Sequence, residues 1–285
     1  KLAVLTSHKT SEDIKLADLL QSLSPYYNLA PFDLKKEGVS PQQSLDNLNR
    51  FEALFISNPK KAFTQAEKYI LDQHALAGGK QFWLVNGLSI DRDSLFNLEG
   101  KTYGFPKELN LDDYFFNLGI RLRKELVKDL YSAPIVLASG SDENSQYIPY
   151  PWPYYPLSVP ENNNIIGKDL GPVLTQFISP IDTLPNALKK TILLQSSKFT
   201  KTVPVPALVN LEQVLEKIQP SQFNEPSKIF GVLIEGEKKS LFSNRIKPLS
   251  LNKKKEYGII KLIFYGDGNL AENQTEKGQP LSLGY

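Results

Sequence analysis

Short apolar runs alternate with amphipathic stretches over the first hundred residues, a pattern of strand followed by helix. LAVLT (2–6) is apolar enough for a strand covered on both faces. Thr10 or Ser11 then offers an N-cap, with Glu12 and Asp13 in the first turn, where the helix dipole favours negative charge. Ile14, Leu16, Ala17, Leu20 and Leu23 keep helical spacing as far as Pro25. NLAPFDL (28–34) reads as a second strand, weakened by Pro31, and ALFIS (53–57) as a third. Thr64 caps a helix whose Ala66, Tyr69, Ile70 and Ala77 share one face. Gly78-Gly79 stops that helix, and QFWLVNG (81–87) follows as a strand. Strand, helix, strand is a βαβ unit, and right-handed crossovers make its sheet parallel. The fold class predicted is α/β, a flavodoxin-like or Rossmann-like core with a mostly parallel sheet.

The remaining pattern is less regular and predicts a second α+β lobe. DDYFFNLGIRLRKELV (112–127) reads as helical in part, and APIVLASG (133–140) as a strand. Residues 141–165, rich in Pro, Asn, Tyr and Ser, read as a long loop. VLTQFIS (173–179), KTILLQSS (190–197) and FGVLIEG (230–236) are further strands. GIIKLIFYGDGN (258–269) ends in a Gly-Asp-Gly turn, much as the early strands end, and is expected to join the first sheet. The domains expected are a core of 1–105 plus 257–285 and a lobe of 106–256 carrying the 141–165 loop. A single elaborated domain over 1–285 is the alternative.

Composition narrows the function classes. Lys and Arg number 33 against 31 Asp and Glu, a net charge of +2, so no long-range field steers the chain to nucleic acid. Cysteine is absent, which removes disulfides, thiolate metal sites and a cysteine nucleophile. No apolar run approaches the roughly 18 residues of a membrane helix. The chain starts directly on a strand, so it reads as a piece of a longer protein.

In an open parallel sheet, ligands sit beyond the carboxyl ends of the strands. That rule selects Ser7, His8, Asn58, Asn86, Gly140, Asp267 and Asn269 as ligand-binding candidates. His8 could serve as a base or ligand, though a polar turn residue is the simpler reading. His74 falls near the apolar helix face and reads as packed, and the two histidines make no metal motif. Asp267 could bind a cation or polarise water, but Asp-Gly after a strand is also ordinary turn chemistry. No P-loop, dinucleotide fingerprint or nucleophile elbow is present; Ser139-Gly140-Ser141 does not match the last. No catalytic residue, metal site or cofactor is therefore assigned. PYPWPYYP (149–156) interleaves prolines with Tyr150, Trp152, Tyr154 and Tyr155, rings that could dock a partner or stack on a sugar. A segment packed across the body of the protein is the plainer reading.

Long collinear stretches carry a resemblance. They include LAVLTSHKTSED (2–13), NPKKAFTQAEKYILDQ (58–73) and GGKQFWLVNGLSIDRDSLF (78–96). KDLYSAPIVLASG (128–140), PWPYYPLSVPENNNIIGKDLGPVLTQFISPIDTL (151–184) and KKTILLQSS (189–197) continue them. FGVLIEGE (230–237), SNRIKPLSL (243–251) and YGDGNLAENQTEKGQPLSLGY (265–285) complete the set. Together they resemble the gliding-motility-associated ABC transporter auxiliary proteins of the Bacteroidetes, GldG type.

The resemblance implies an extracytoplasmic, periplasmic domain at the inner membrane, flanked by transmembrane helices outside this sequence. It implies an ABC permease and its ATPase as partners. It also implies a fold shared with a ciliary intraflagellar-transport subunit, amidotransferase-like without the active site. Glutamine amidotransferases use a cysteine nucleophile on a strand-to-helix turn, and this chain has no cysteine. The leading expectation is a non-catalytic transport component that binds partner subunits or a transported substrate. The alternative is a carbohydrate-binding or carbohydrate-acting protein, which requires polar side chains converging in a pocket near Ser7, His8, Asn86 and Asp267.

Overall fold

A computed structural model describes residues 1–97, 99–139 and 146–283. Its first half contains β1 (Leu2–Leu5), α1 (Ala17–Leu23), β2 (Leu29–Phe32), α2 (Pro41–Leu48), β3 (Ala53–Ser57), α3 (Gln65–Leu76) and β4 (Lys80–Leu84). Next come β5 (Leu88–Ser89), β6 (Lys101–Pro106), α4 (Asp112–Asn117), β7 (Ile120–Leu122), β8 (Glu125–Asp129) and β9 (Ser132–Ser139). The rest is strand: β10 (Gln146–Pro160), β11 (Val173–Leu174), β12 (Ile181–Thr183), β13 (Lys189–Gln195), β14 (Thr200–Pro204), β15 (Ala207–Asn210), β16 (Ile229–Lys239) and β17 (Tyr257–Tyr265).

The main sheet runs β11-β10-β13-β16-β17-β4-β3-β1-β2. From β17 to β2 every neighbouring pair is parallel. The order β2-β1-β3-β4-β17 is the 2-1-3-4-5 arrangement of flavodoxin-like sheets, its fifth strand drawn from near the end of the chain. Direction reverses at β17, which is antiparallel to β16, so β13 and β16 extend the same sheet. Those two strands come from within 106–256, so the sheet crosses the boundary expected from sequence.

Pro31 is placed where it costs no ladder bond. Backbone hydrogen bonds from Leu2 N to Asn28 O and from Thr6 N to Phe32 O put the even-numbered residues of this strand against β1. Its nitrogen therefore faces the free edge of β2, where a missing N–H also blunts edge-to-edge pairing.

Helix α3 starts at the expected cap, with Thr64 and Glu67 closing a reciprocal capping box. The sequence shows one apolar face, yet Glu67 through Leu76 are all buried. Two of the charged members are matched: Asp72 accepts from Lys238 Nζ and from Ser240 Oγ, and Lys68 Nζ lies 2.6 Å from Asp113. After the helix, Gly79 passes so close to His74 that a Cβ there would lie 2.1 Å from the imidazole Cε1.

Several expected elements differ. Helix α1 begins at Ala17 after a 3-10 turn at Asp13–Leu16, with no side-chain cap. The two hydroxyls expected to cap it are engaged at strand ends: Thr10 Oγ1 donates to Leu5 O at 2.6 Å, and Ser11 Oγ bonds Glu272. In 112–127 only Asp112–Asn117 is helical, and β7 and β8 occupy the rest. Of 173–179 only Val173–Leu174 is strand, because Gln176 N donates to Asp267 and Phe177 turns to a φ of 52°.

The largest correction concerns the expected loop 141–165. Residues 141–145 lie outside the described residues, but Gln146–Pro160 is one fifteen-residue strand. Its prolines 149, 151 and 153 alternate with Tyr150, Trp152 and Tyr154, so prolines take one face and rings the other. Pro151 stands opposite Pro134 of β9, a ladder position where neither strand donates. The prolines thus satisfy strand geometry instead of breaking it.

Two cores result. The larger lies between the parallel strands and α2, α3 and α4, around Trp83, Tyr114, Phe115 and Phe264. The second lobe is built around Trp152, Tyr154, Tyr155, Phe177 and Val209. It takes Leu88 and Leu95 from before residue 106.

Candidate functional site

The carboxyl ends of β1, β3, β4 and β17 bring together four segments that sequence alone selected. β1 leads into Ser7 and His8, β3 into Asn58, β4 into Asn86, and β17 into Gly266-Asp267-Gly268-Asn269. Three non-glycine residues here adopt left-handed backbone: His8 (φ 64°), Lys9 (φ 50°) and Asn58 (φ 48°). Each such residue costs of order 1–2 kcal/mol, and the turn is held by added hydrogen bonds. His8 O accepts from Lys60 N at 2.8 Å and Lys61 N at 3.0 Å.

Two polar networks fill the crevice. In the first, Ser7 Oγ bonds His8 Nδ1 at 2.9 Å, and His8 Nε2 lies 3.2 Å from Glu67 Oε2 without the alignment of a full hydrogen bond. The imidazole stacks on Phe63 at 3.8 Å between ring centres. Burial raises the Glu67 pKa, but His8 and the Thr64 N–H and hydroxyl outweigh it and hold the carboxyl near 2. The order Ser, His, Glu superficially mimics a nucleophilic triad. Ser7 is buried, however, and its Oγ accepts from Leu34 N at 3.3 Å, so the hydroxyl serves to pin the turn.

The second network joins β3 to the loop after β17. Asn58 Nδ2 donates to Asn269 Oδ1 at 2.7 Å and to Glu272 Oε1 at 3.0 Å. Ser11 Oγ donates to the same Glu272 oxygen at 2.5 Å and lies 3.0 Å from Ser57 Oγ. Lys107 Nζ reaches Asn58 Oδ1 at 3.0 Å. Burial, with Lys60 acting in the same direction, pushes the Lys107 ammonium down to about 8. Asn86 Oδ1 accepts from Gly268 N at 2.6 Å. A Cβ at position 268 would sit 2.8 Å from Asn58 Oδ1, so only glycine lets the loop lie this close.

Asp267 links the crevice to the second lobe. Its two carboxylate oxygens accept from Gln176 N at 3.0 Å and Asn269 N at 2.8 Å. Burial pushes its pKa up to about 6 despite those N–H groups, which favour the charged form.

The strand-end candidates therefore converge, but on one another. Ser7, His8, Asn58, Asn86 and Asp267 are all buried. Gly140 lies outside the described residues. Sequence reading missed Ser11, Ser57, Glu67, Lys107 and Glu272. Glu67 was accessible as the third residue after a Thr cap, and Ser57 as the last residue of a strand. Lys107 and Glu272 arrive through long-range folding and carry no local signal.

The aromatic candidates are placed otherwise. Trp152, Tyr154 and Tyr155 are buried and Tyr150 half-buried, packed in the second core. Trp152 and Tyr154 lie 5.0 Å apart, Tyr155 and Phe177 5.5 Å, and Lys128 Nζ sits 4.2 Å over the Tyr154 ring. Alternation puts Tyr150, Trp152 and Tyr154 on one face, Tyr155 is buried where the ladder is irregular between Pro151 and Pro156, and the three buried rings offer no exposed docking surface. A stacked pair of exposed aromatic rings lies on β6, beside an exposed leucine of β15. Tyr103 (54% exposed) and Phe105 (51%) are stacked at 6.1 Å, and Leu208 (43%) stands opposite Tyr103 across the ladder.

Among the described residues no cluster of His, Asp or Glu is spaced to hold a metal ion. No helix among them is long and apolar enough to cross a membrane.

No curated protein matches the chain. Among solved structures, one described as the mmIFT52 N-terminal domain is similar over 95% of this chain and 87% of that one, at 14% identity and a TM-score of 0.51. At that identity the likeness speaks to the fold alone. The sequence model described as ABC-type uncharacterized transport system matches residues 1–285.

Proposed function

The chain belongs to the ABC-type uncharacterized transport system family, and from that premise we propose that it is a non-catalytic, extracytoplasmic auxiliary component of an ABC transport complex. In this reading it is of the gliding-motility type found in the Bacteroidetes, sits on the periplasmic side of the inner membrane through helices outside this sequence, and binds a permease and an ATPase. The observation that carries the non-catalytic part is the filled strand-end crevice. Where an amidotransferase-like sheet would present a nucleophile, Ser7, His8, Asn58 and Asp267 are buried and bonded to neighbouring residues. A carbohydrate-acting protein needs those groups aimed at a shared open space, and here each is bonded within the fold: Ser7 to His8, Asn58 to Asn269 and Glu272, and Asp267 to the Gln176 and Asn269 N–H groups.

The binding part draws support from the exposed strip of Tyr103, Phe105 and Leu208. Stacked rings beside an aliphatic residue on a solvent-facing strand are the composition that protein interfaces favour at their centres. Co-purification from native membranes in mild detergent tests the proposal. Recovery of a permease and an ATPase in fixed proportion supports it, and repeated recovery of the protein alone under crosslinking contradicts it.

A further inference from the structure

A crevice of about 360 Å3 lies between the free edge of β2 and helix α2, away from the strand-end network. Its apolar wall is Phe32 and Phe51, edge to face with ring centres 6.2 Å apart, together with Pro31 and Val39. Its charged lining is mostly cationic. Lys1, Lys36 and Arg50 share the lining with one carboxylate, Asp33, whose Oδ1 already accepts Lys35 N at 2.7 Å, and the Lys1 α-amino group pairs with Glu52 at 3.0 Å. Among the described residues, neither Arg50 nor Lys36 takes part in an ion pair. The side chains of Ser44 and Asn47 also line the crevice and make no hydrogen bond to any described residue.

A second crevice, about 420 Å3 beside α4 and β7, provides the contrast. There the cations are neutralised by the fold itself: Arg123 pairs with Glu125 and Asp182, and Lys124 with Glu108 and Asp112. The crevice at β2 keeps Lys36 and Arg50 without an ion-pair partner among the described residues, over an aromatic floor. Pro31 at the edge also removes a donor that an added strand would need, which favours a small ligand over an extended peptide.

We propose that the crevice formed by Arg50, Lys36, Ser44, Asn47, Phe32 and Phe51 binds a small amphipathic anion, a carboxylate carried on an apolar body. The guanidinium of Arg50 is suited to a planar, paired hydrogen bond with a carboxylate. Ser44 and Asn47 supply neutral donors beside it, and the two rings take the apolar body. The volume falls within the range of roughly 300–1,000 Å3 usual for small-molecule sites.

Titration calorimetry with phenylpropanoate and octanoate, set against phenylpropanamide as the uncharged control, tests this on the folded chain. The expected result is one-to-one binding of at least one carboxylate, weaker by about tenfold or more for the amide and for Arg50→Gln. Ser44→Leu, which fills the crevice, should abolish binding. Arg50 is exposed, so its variant is expected to fold normally, and a thermal melt checks this. Absence of binding by both carboxylates, equal binding of the amide, or indifference to Arg50→Gln overturns the proposal.

Discussion

The Asn58 side-chain amide donates to Asn269 Oδ1 at 2.7 Å, tying the end of β3 to the loop that follows β17. Gly268 makes this contact possible. An alanine there would put a methyl carbon within 3.0 Å of three Asn58 side-chain atoms, forcing that residue off Asn269 and Glu272. Gly268→Ala should therefore cost about 1–3 kcal/mol. For a chain of this size that lowers Tm by roughly 2–4 °C per kcal/mol. Scanning calorimetry reads it directly, and an unchanged Tm would mean that the loop is not packed on Asn58.

Gly79 and His74 form a second close pair. Gly79→Ala should destabilise by about 1–3 kcal/mol, because the added methyl would overlap the buried imidazole. His74→Ala alone also destabilises, through the cavity it leaves. Combining the two should cost less than the sum of the singles, since the added methyl then enters space the ring has left. Urea denaturation of the four proteins in the cycle gives the coupling; strict additivity would contradict the contact.

Asp267 and His74 push the pH dependence of stability in opposite directions. Burial raises the Asp267 pKa from 3.8 to about 6. Between those values the folded state keeps a proton that the unfolded state has released, so this group's contribution falls as pH rises. Burial lowers the His74 pKa from 6.5 to about 4. In that window the unfolded chain holds the extra proton, so this contribution falls as pH falls. The two largely offset each other in the native protein. Asp267→Asn should unmask the His74 slope, with urea midpoints dropping steadily on acidification from about 6 to about 4. A variant profile parallel to that of the native protein would show that Asp267 does not hold its proton.

Strand β10 makes a prediction by its alternation. Trp152 faces the second core at 1% exposure, whereas Tyr147 on the same strand is 76% exposed. Trp152→Ala should cost about 3–5 kcal/mol, and Tyr147→Ala should stay within about 0.5 kcal/mol. Comparable losses at both positions would contradict the placement of the strand.

The early βαβ pattern was legible because each signal was local. A short apolar run, a Thr cap and a Gly-Gly stop located β3 and α3 almost to the residue, and placed β4 with its end three residues too late. The last strand was placed in the first sheet from its terminal Gly-Asp-Gly turn, and β17 does pair with β4. The proline-rich stretch was misread because proline content was weighed before proline spacing. At positions 149, 151 and 153 the prolines keep the period of a strand, and that period also determines which rings turn inward. The strand-end residues could be selected from topology, since the ends of parallel strands must gather at one rim. Their burial could not be read, because Lys107 and Glu272 reach the rim only through contacts distant in sequence.

The most direct measurement compares two variants in one co-purification from native membranes. One variant is Ser7→Ala, at the filled strand-end crevice. The other is Tyr103→Ser with Phe105→Ser, on the exposed strip, and both are first checked by thermal melting. The account predicts that Ser7→Ala recovers permease and ATPase as the native protein does, while the strip variant loses them at unchanged Tm. Loss of partners with Ser7→Ala at native stability, together with full recovery by the strip variant, would contradict it.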